Sequence, residues 1–217
     1  EYIFLKQLEE ADVVVINKID KLGDGEPERL AALVEDRLPG KEVLLASGKR
    51  GDGLDTLLDT LLQPRSAASA LMPIDYEVYA AGEAELAWLN ANVEFDAAAP
   101  FPLDDLVQEC VQRVADNLSQ ASYEPAHLKV LGYSGGETCI ANLVATGSPA
   151  ELSLACGASS NAATLIVNAR VAGDPEVLAA MVDDAIEEVG TRFGGELRVT
   201  ARQHFRPGKP EPTHGRA

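Results

Sequence analysis

The chain has 217 residues, a formal net charge of −17, 46% hydrophobic residues and 24% charged ones. That length can bury two cores, the composition is globular rather than disordered, and so acidic a surface argues against a nucleic-acid ligand. No apolar run approaches the roughly 20 residues of a membrane helix and no signal-peptide architecture is visible, so a soluble cytoplasmic protein with no membrane partner is expected.

The first strong signal is Val13-Val14-Val15-Ile16, a β-branched run that reads as a buried strand, leading into Asn17-Lys18-Ile19-Asp20. Asn-Lys-x-Asp is suited to reading guanine, which presents N1–H and an exocyclic amine as parallel donors. A carboxylate is the natural bidentate acceptor for that pair, the role expected of Asp20. Asn17 can bond the base N7 and tie the loop to its neighbours, while the stem of Lys18 can lie along the base with its ammonium in water. The carboxyl end of a strand is where open α/β sheets bind ligands. Next, Leu30, Leu33, Val34 and Leu38 mark an amphipathic helix with Pro27 near its start. Val43-Leu44-Leu45-Ala46 reads as a second strand, ending in Ser47-Gly48-Lys49. The backbone amides of such a turn can bond guanine O6 and exclude the amino group of adenine; Gly48 serves because the contact is main-chain. Leu54, Leu57, Leu58, Leu61 and Leu62 follow at helical spacing, completing a parallel strand-helix-strand-helix pattern.

The phosphate-binding half of such a site has no counterpart. No G-x-x-x-x-G-K-[ST] occurs in the sequence. Asp20-Lys21-Leu22-Gly23 matches D-x-x-G, the Mg²⁺ and γ-phosphate pattern, but one carboxylate cannot serve both ends of a nucleotide. The chain begins at Glu1, and its only methionines are Met72 and Met181. The expectation is therefore a fragment, covering the C-terminal part of a nucleotide domain in residues 1–63. Weak nucleotide affinity and no hydrolysis are expected, because phosphates supply much of the binding energy through loop amides and Mg²⁺.

Residues 64–82, rich in small side chains, read as a linker. The second domain, 83–206, reads as α+β. Residues 84–96 alternate, with Ala87, Leu89, Ala91, Val93 and Phe95 on one face and Trp88, Asn90, Asn92 and Glu94 on the other. A helix beginning near Pro102 carries Leu103, Leu106, Val107, Cys110, Val111, Val114 and Leu118 along one side. Strands are expected near 127–132, 138–146, 151–157 and 164–172. Asp174 and Pro175 then open a helix with Val177, Leu178, Met181, Val182, Ala185, Ile186, Val189 and Phe193, ending at Gly194-Gly195. The last strand, 196–206, sets Leu197, Val199, Ala201 and Phe205 against Arg198, Thr200, Arg202, His204 and Arg206. The order β-α-β-β-α-β with one extra hairpin predicts a ferredoxin-like, split β-α-β sheet. Its first and last strands would be neighbours and one face would stay open. Trp88, Asn90, Arg198, Arg202, His204 and Arg206 would gather on that face, joined by Asn168 and Arg170. Such a face is either a recognition patch or an exterior surface laced with ordinary ion pairs. Residues 207–217 read as a flexible tail.

No catalytic residue emerges. Ser134 lacks the G-x-S-x-G elbow, and His127, His204 and His214 make no metal-binding helix motif. Cys110, Cys139 and Cys156 lack C-x-C or C-x-x-C spacing; Cys110 in a helical stripe and Cys139 in an alternating strand favour buried thiols, a metal site built from the three being the weaker alternative.

The stretch Ala11 to Asp20, Ser47-Gly48-Lys49, and Glu85-Leu86-Ala87-Trp88-Leu89-Asn90-Ala91 resemble the CobW-type P-loop GTPases, relatives of the HypB and UreG metallochaperones. The tail, Phe205-Arg206-Pro207-Gly208 through Pro212-Thr213-His214, adds to the likeness. The resemblance implies an α/β nucleotide domain followed by an α+β ferredoxin-like one. It implies GTP/GDP bound with Mg²⁺ in a longer parent, often a dimer, and slow hydrolysis coupled to delivering a metal or corrinoid cofactor to a client protein. The family's Cys-x-Cys-Cys motif lies outside these residues, so any transition metal is expected outside this chain. The second reading is a non-catalytic protein-interaction or cofactor-docking module.

Overall fold

The computed structural model describes residues 2–64, 75–143 and 146–208. The chain divides into two units, one reaching to Tyr79 and the other spanning Ala80–Pro210. Of the stretch expected as a linker, 65–74 lie outside the described residues, while α4 (Tyr76–Ala84) is helical and runs across the division. The last residues of the expected tail, 209–217, also lie outside them.

In the first unit, α1 (Tyr2–Glu10), absent from the sequence-based expectations, leads into β1 (Val13–Ile16). The Lys41 ammonium caps the end of α1, donating to the carbonyls of Glu9 and Ala11 at 2.6 and 2.7 Å, where the helix dipole is negative. The strand β1 pairs in parallel with β2 (Glu42–Leu45), Val13 opposite Glu42 and Ile16 opposite Leu45. Between them runs α2 (Glu26–Arg37) with Pro27 in its first turn, and α3 (Leu54–Leu62) follows. The expected parallel β-α-β pattern is present, but its apolar stripes are poorly covered. Leu33 is 56% exposed and Leu58, Leu61 and Leu62 are 56, 63 and 80% exposed. Two short strands offer too little sheet to bury two helices, since isolated two-stranded sheets are marginal.

The second unit is built on one six-stranded antiparallel sheet. Its strands are β3 (Leu86–Pro102), β4 (Glu124–Ser134), β5 (Glu137–Leu143), β6 (Glu151–Leu154), β7 (Ser159–Ala172) and β8 (Gly195–Phe205), ordered β6-β5-β4-β7-β3-β8. Without the β5–β6 hairpin, the order β8-β3-β7-β4 is that of a split β-α-β sheet, with the first and last strands adjacent as expected. Helices α5 (Leu103–Gln120) and α6 (Pro175–Arg192) cover one face. The buried stripe of α5 is Leu103, Leu106, Val107, Cys110, Val111, Val114 and Leu118. It meets Ala87, Leu89, Ala91, Val93 and Phe95 of β3 in one core, as period-two and period-3.6 patterns require. The side chain of Asp174 caps α6 by accepting from the amides of Glu176 and Val177 at 2.9 and 3.2 Å.

One expectation for this sheet fails. Asn92 pairs with Ala201 but Val93 pairs with Val199, so Thr200 is an extra residue, a β-bulge. A bulge advances the alternation by one. Leu197 and Val199 pack against the core, but beyond Thr200 the phase reverses, and Arg202 and His204 lie opposite Ala91 and Leu89 on the helix side. There Arg202 reaches both carboxylate oxygens of Asp183 on α6, at 2.6 and 2.5 Å, and His204 Nε2 lies 3.0 Å from Glu176. Arg206 donates to the carbonyls of Ala84 and Gly173. The open face keeps Trp88, Asn90 and Arg198, with Arg198 paired to Glu94.

Phe95 is fully buried, its ring centroid 4.7 Å from that of Phe101. Truncating it opens a cavity where the longest strand meets α5 and α6, so Phe95→Ala should cost about 3–5 kcal/mol. Urea denaturation monitored by circular dichroism measures this; a change below about 1 kcal/mol would show that the core collapses around the gap.

Candidate functional site

The six residues expected to read guanine fall on two loops at the carboxyl ends of β1 and β2. Beyond the last paired residues the two chains stay in register, with the Ala46 amide donating to the Ile16 carbonyl at 2.9 Å and the Ile19 amide to Ala46 at 3.3 Å. That continuation sets Asn17 and Asp20 beside Ser47 and Gly48. Two bonds then join the loops. The Ser47 hydroxyl donates to Asp20 Oδ1 at 2.5 Å, and the Gly48 amide donates to Asn17 Oδ1 at 3.0 Å. Asn17 Oδ1 also accepts from the Lys18 amide at 2.7 Å, and Lys18 sits in the left-handed region at φ 64°. The turn at Lys18 is thus held by the side chain before it, and Ile19–Lys21 close it as a single 3₁₀ turn.

Ser47 is fully buried and organises the second loop. Its amide donates to Asp52 and its carbonyl accepts from Gly51, both at 2.8 Å, while its hydroxyl accepts from the Arg50 amide at 3.1 Å. Asn17, Lys18, Gly48 and Lys49 are exposed and Asp20 is half-buried, so the polar groups face solvent on a rigid base. The Ser47 hydroxyl holds the Asp20 carboxyl below the ordinary carboxylate range, assisted by the charges of Arg50 and Lys49. An ionised carboxylate has four lone-pair positions, and Ser47 takes one. The chemistry on offer is a fixed anionic acceptor on a hydrogen-bonded loop pair, suited to a planar base with paired N–H groups.

Trp88 and Asn90 lie across from Arg170 and Asn168 on the open sheet face of the second unit. The Arg170 guanidinium stacks 3.9 Å from the Trp88 ring centroid, and Phe205 lies 5.9 Å away on the other strand. The Trp88 indole N–H is buried with no partner among the described residues.

A further cluster escaped the sequence reading. Asp104, Cys139 and Cys156 come from α5, β5 and the β6–β7 loop, and their ligating atoms lie within 4.8 Å of one another. Cys110 stays apart in the core, where burial pushes its thiol up to about 12. Burial likewise pushes the Cys139 thiol up to about 12. Although desolvation acts to raise it, the Asp104 carboxyl is held below its ordinary range by the amides of Cys156 and Gly157.

No family model matches the chain. Among solved structures it is similar to a Zn(II)-bound triple mutant of the YjiA GTPase, at 16% identity and a TM-score of 0.24. The match covers 82% of this chain and 53% of that one, so this chain spans about half the length of the structure it resembles. A superposition that loose decides neither fold nor function. No described helix is long and apolar enough to cross a membrane.

Two glycines in these loops should respond oppositely to a methyl group. A Cβ on Gly48 would lie 3.8 Å from Asn17 Oδ1, an ordinary contact, so Gly48→Ala should be neutral within about 0.5 kcal/mol. A Cβ on Gly53, at φ 71°, would lie 2.0 Å from the Leu45 carbonyl. Gly53→Ala should therefore lose more than the ~1–2 kcal/mol of left-handed strain alone, read as a fall in melting midpoint. The Asp20 pKa offers a second check. A depressed folded pKa means the Ser47–Asp20 link stabilises the loops above the unfolded pKa and is lost as pH falls through the folded one. Carboxyl titration by NMR should show the Asp20 midpoint moving up in Ser47→Ala; an unmoved midpoint would show that the hydroxyl does not set it.

Proposed function

We propose that the two loops of the first unit form the base-reading half of a guanine-nucleotide site. The observation that carries this reading is the cross-linking of Asn17-Lys18-Ile19-Asp20 to Ser47-Gly48-Lys49 through Ser47–Asp20 and Gly48–Asn17. Asp20 accepts N1–H and the exocyclic amine of guanine, the stem of Lys18 lines the base, and the Lys49 amide donates to O6, the Ser47 and Gly48 amides being taken up by Asp52 and Asn17. Adenine presents an amino group where guanine has O6, so it would set donor against donor. The loops leave the phosphates without a glycine-rich cradle in this sequence, so base contacts carry the recognition here.

In the wider reading, the chain is part of a GTPase that binds GTP/GDP with Mg²⁺ and assists insertion of a metal or corrinoid cofactor into a client protein, acting as a dimer. The resemblance of the two loops and of residues 85–91 to CobW-type GTPases supports it. Within these 217 residues, hydrolysis has no assigned catalytic group. The alternative, a docking module, is favoured by one observation: the stack of exposed Arg170 on half-buried Trp88, beside Asn90 and Asn168 on the sheet face opposite α5 and α6.

Fluorescent guanine and adenine nucleotides titrated into the chain test the base assignment. The wild type should favour guanine, and Asp20→Asn should lose about 1.5–3 kcal/mol of guanine binding, the worth of hydrogen bonds to a charged group. The same variant should gain xanthine nucleotides, whose C2 carbonyl accepts from the new amide. Indifference to the base in both proteins would sink the reading and leave the docking module.

A further inference from the structure

The donors of Asp104, Cys139 and Cys156 converge from three elements distant in sequence, all within 4.8 Å of one another. From this geometry we infer that they form a binding site for a borderline-soft divalent cation of the Zn²⁺ type.

The distances suit such an ion. Tetrahedral Zn²⁺, with Zn–S of about 2.3 Å and Zn–O of about 2.1 Å, separates a sulfur and an oxygen ligand by roughly 3.6 Å. Cys156 Sγ lies 3.4 Å from Asp104 Oδ1. The same separation also suits a thiol donating to a carboxylate, so the support around the donors is what discriminates. The Cys156 amide donates to Asp104 Oδ1 at 3.0 Å and the Gly157 amide to Oδ2 at 2.9 Å, fixing the plane of the carboxylate. The Leu103 amide donates to the Ala158 carbonyl at 2.9 Å, which ties the loop to the start of α5. Cys139 Sγ lies 3.6 Å from the Leu103 carbonyl, and the opposite strand leaves room for it at Gly132, where a Cβ would stand 3.2 Å from that sulfur. Hydrogen bonds that orient ligands in this way are the usual outer shell of a metal site.

Ligand chemistry selects the ion. Two thiolates and one carboxylate favour Zn²⁺ or Cd²⁺ over Mg²⁺ and Ca²⁺, which take oxygen ligands. Two amides and the first turn of α5 offset the surplus negative charge. Cys139 is fully buried but Asp104 and Cys156 are half-exposed, so the ion has a way in. The fourth tetrahedral corner falls to water or an exchangeable ligand, the arrangement of sites that do more than brace a fold.

The test is titration of the reduced chain with Cd²⁺, whose thiolate charge-transfer absorption reports sulfur ligation, and with Zn²⁺ by calorimetry. One equivalent should bind, and Mg²⁺ should not compete. Cys156→Ser and Cys139→Ala should each weaken binding by about tenfold or more, with circular dichroism confirming that each variant is folded. Asp104→Asn should weaken it while leaving sulfur ligation visible. Cys110→Ala should change nothing. No charge-transfer band at one equivalent, a band that survives in the Cys139→Ala/Cys156→Ser double variant, or equal loss in Cys110→Ala would each overturn the site.

Discussion

Strand register is the constraint on which both units depend. In the second unit, β3 is paired on both edges, so its alternation sets the faces of its neighbours. A slip of one residue would exchange Leu89, Val93 and Phe95 for Trp88, Asn92 and Glu94 against the helices. In the first unit the parallel register of β1 and β2 has a different consequence. It delivers two loops to the same height, so that Asn17 meets Gly48 and Asp20 meets Ser47. A shift of one residue would separate those pairs by about the 3.3 Å rise of a strand residue, beyond hydrogen-bond reach.

The two units spend that constraint differently. The second buries a continuous core beneath α5 and α6 and carries exposed Asn90, Asn92, Ile166 and Arg170 on its other face. The first buries few apolar side chains, Val14 and Ala46 being its buried hydrophobics among the described residues, yet it buries Ser47 completely. A buried hydroxyl must be satisfied, and Ser47 is, by donating to Asp20 and accepting from Arg50. The rigidity of the candidate site therefore comes from local hydrogen bonding rather than from packing. Asp20 and Asn17 are held in place before any ligand arrives, which lowers the ordering cost of binding.

Legibility followed the range of the interactions. The α5 stripe from Leu103 to Leu118 and the cap at Asp174 were readable because both are set by residues within a few positions of one another. The order of β3, β4, β7 and β8 followed from the alternation of helices and strands. The bulge at Thr200 was not readable. Leu197, Val199, Ala201 and Phe205 share one parity, interrupted by Gln203 alone, yet the strand reverses phase to let Arg202 meet Asp183 and His204 meet Glu176 on α6. The exposed leucines of α3 mark the same limit from the other side: periodicity shows that a face is apolar, not what covers it.

Sequence alone determined the Asn-Lys-x-Asp and Ser-Gly-Lys loop motifs, the periods of α2, α3, α5, α6 and the long strands, and the ferredoxin-like order of the second unit. These are properties of short segments, written in neighbouring residues. Tertiary structure alone decided that Ser47 would lock Asp20, that Arg202 and His204 would leave the open face, and that Asp104, Cys139 and Cys156 would converge. Each of these joins residues far apart in the chain. Their meeting depends on register, on a bulge and on where a loop docks, none of which leaves a mark in local spacing.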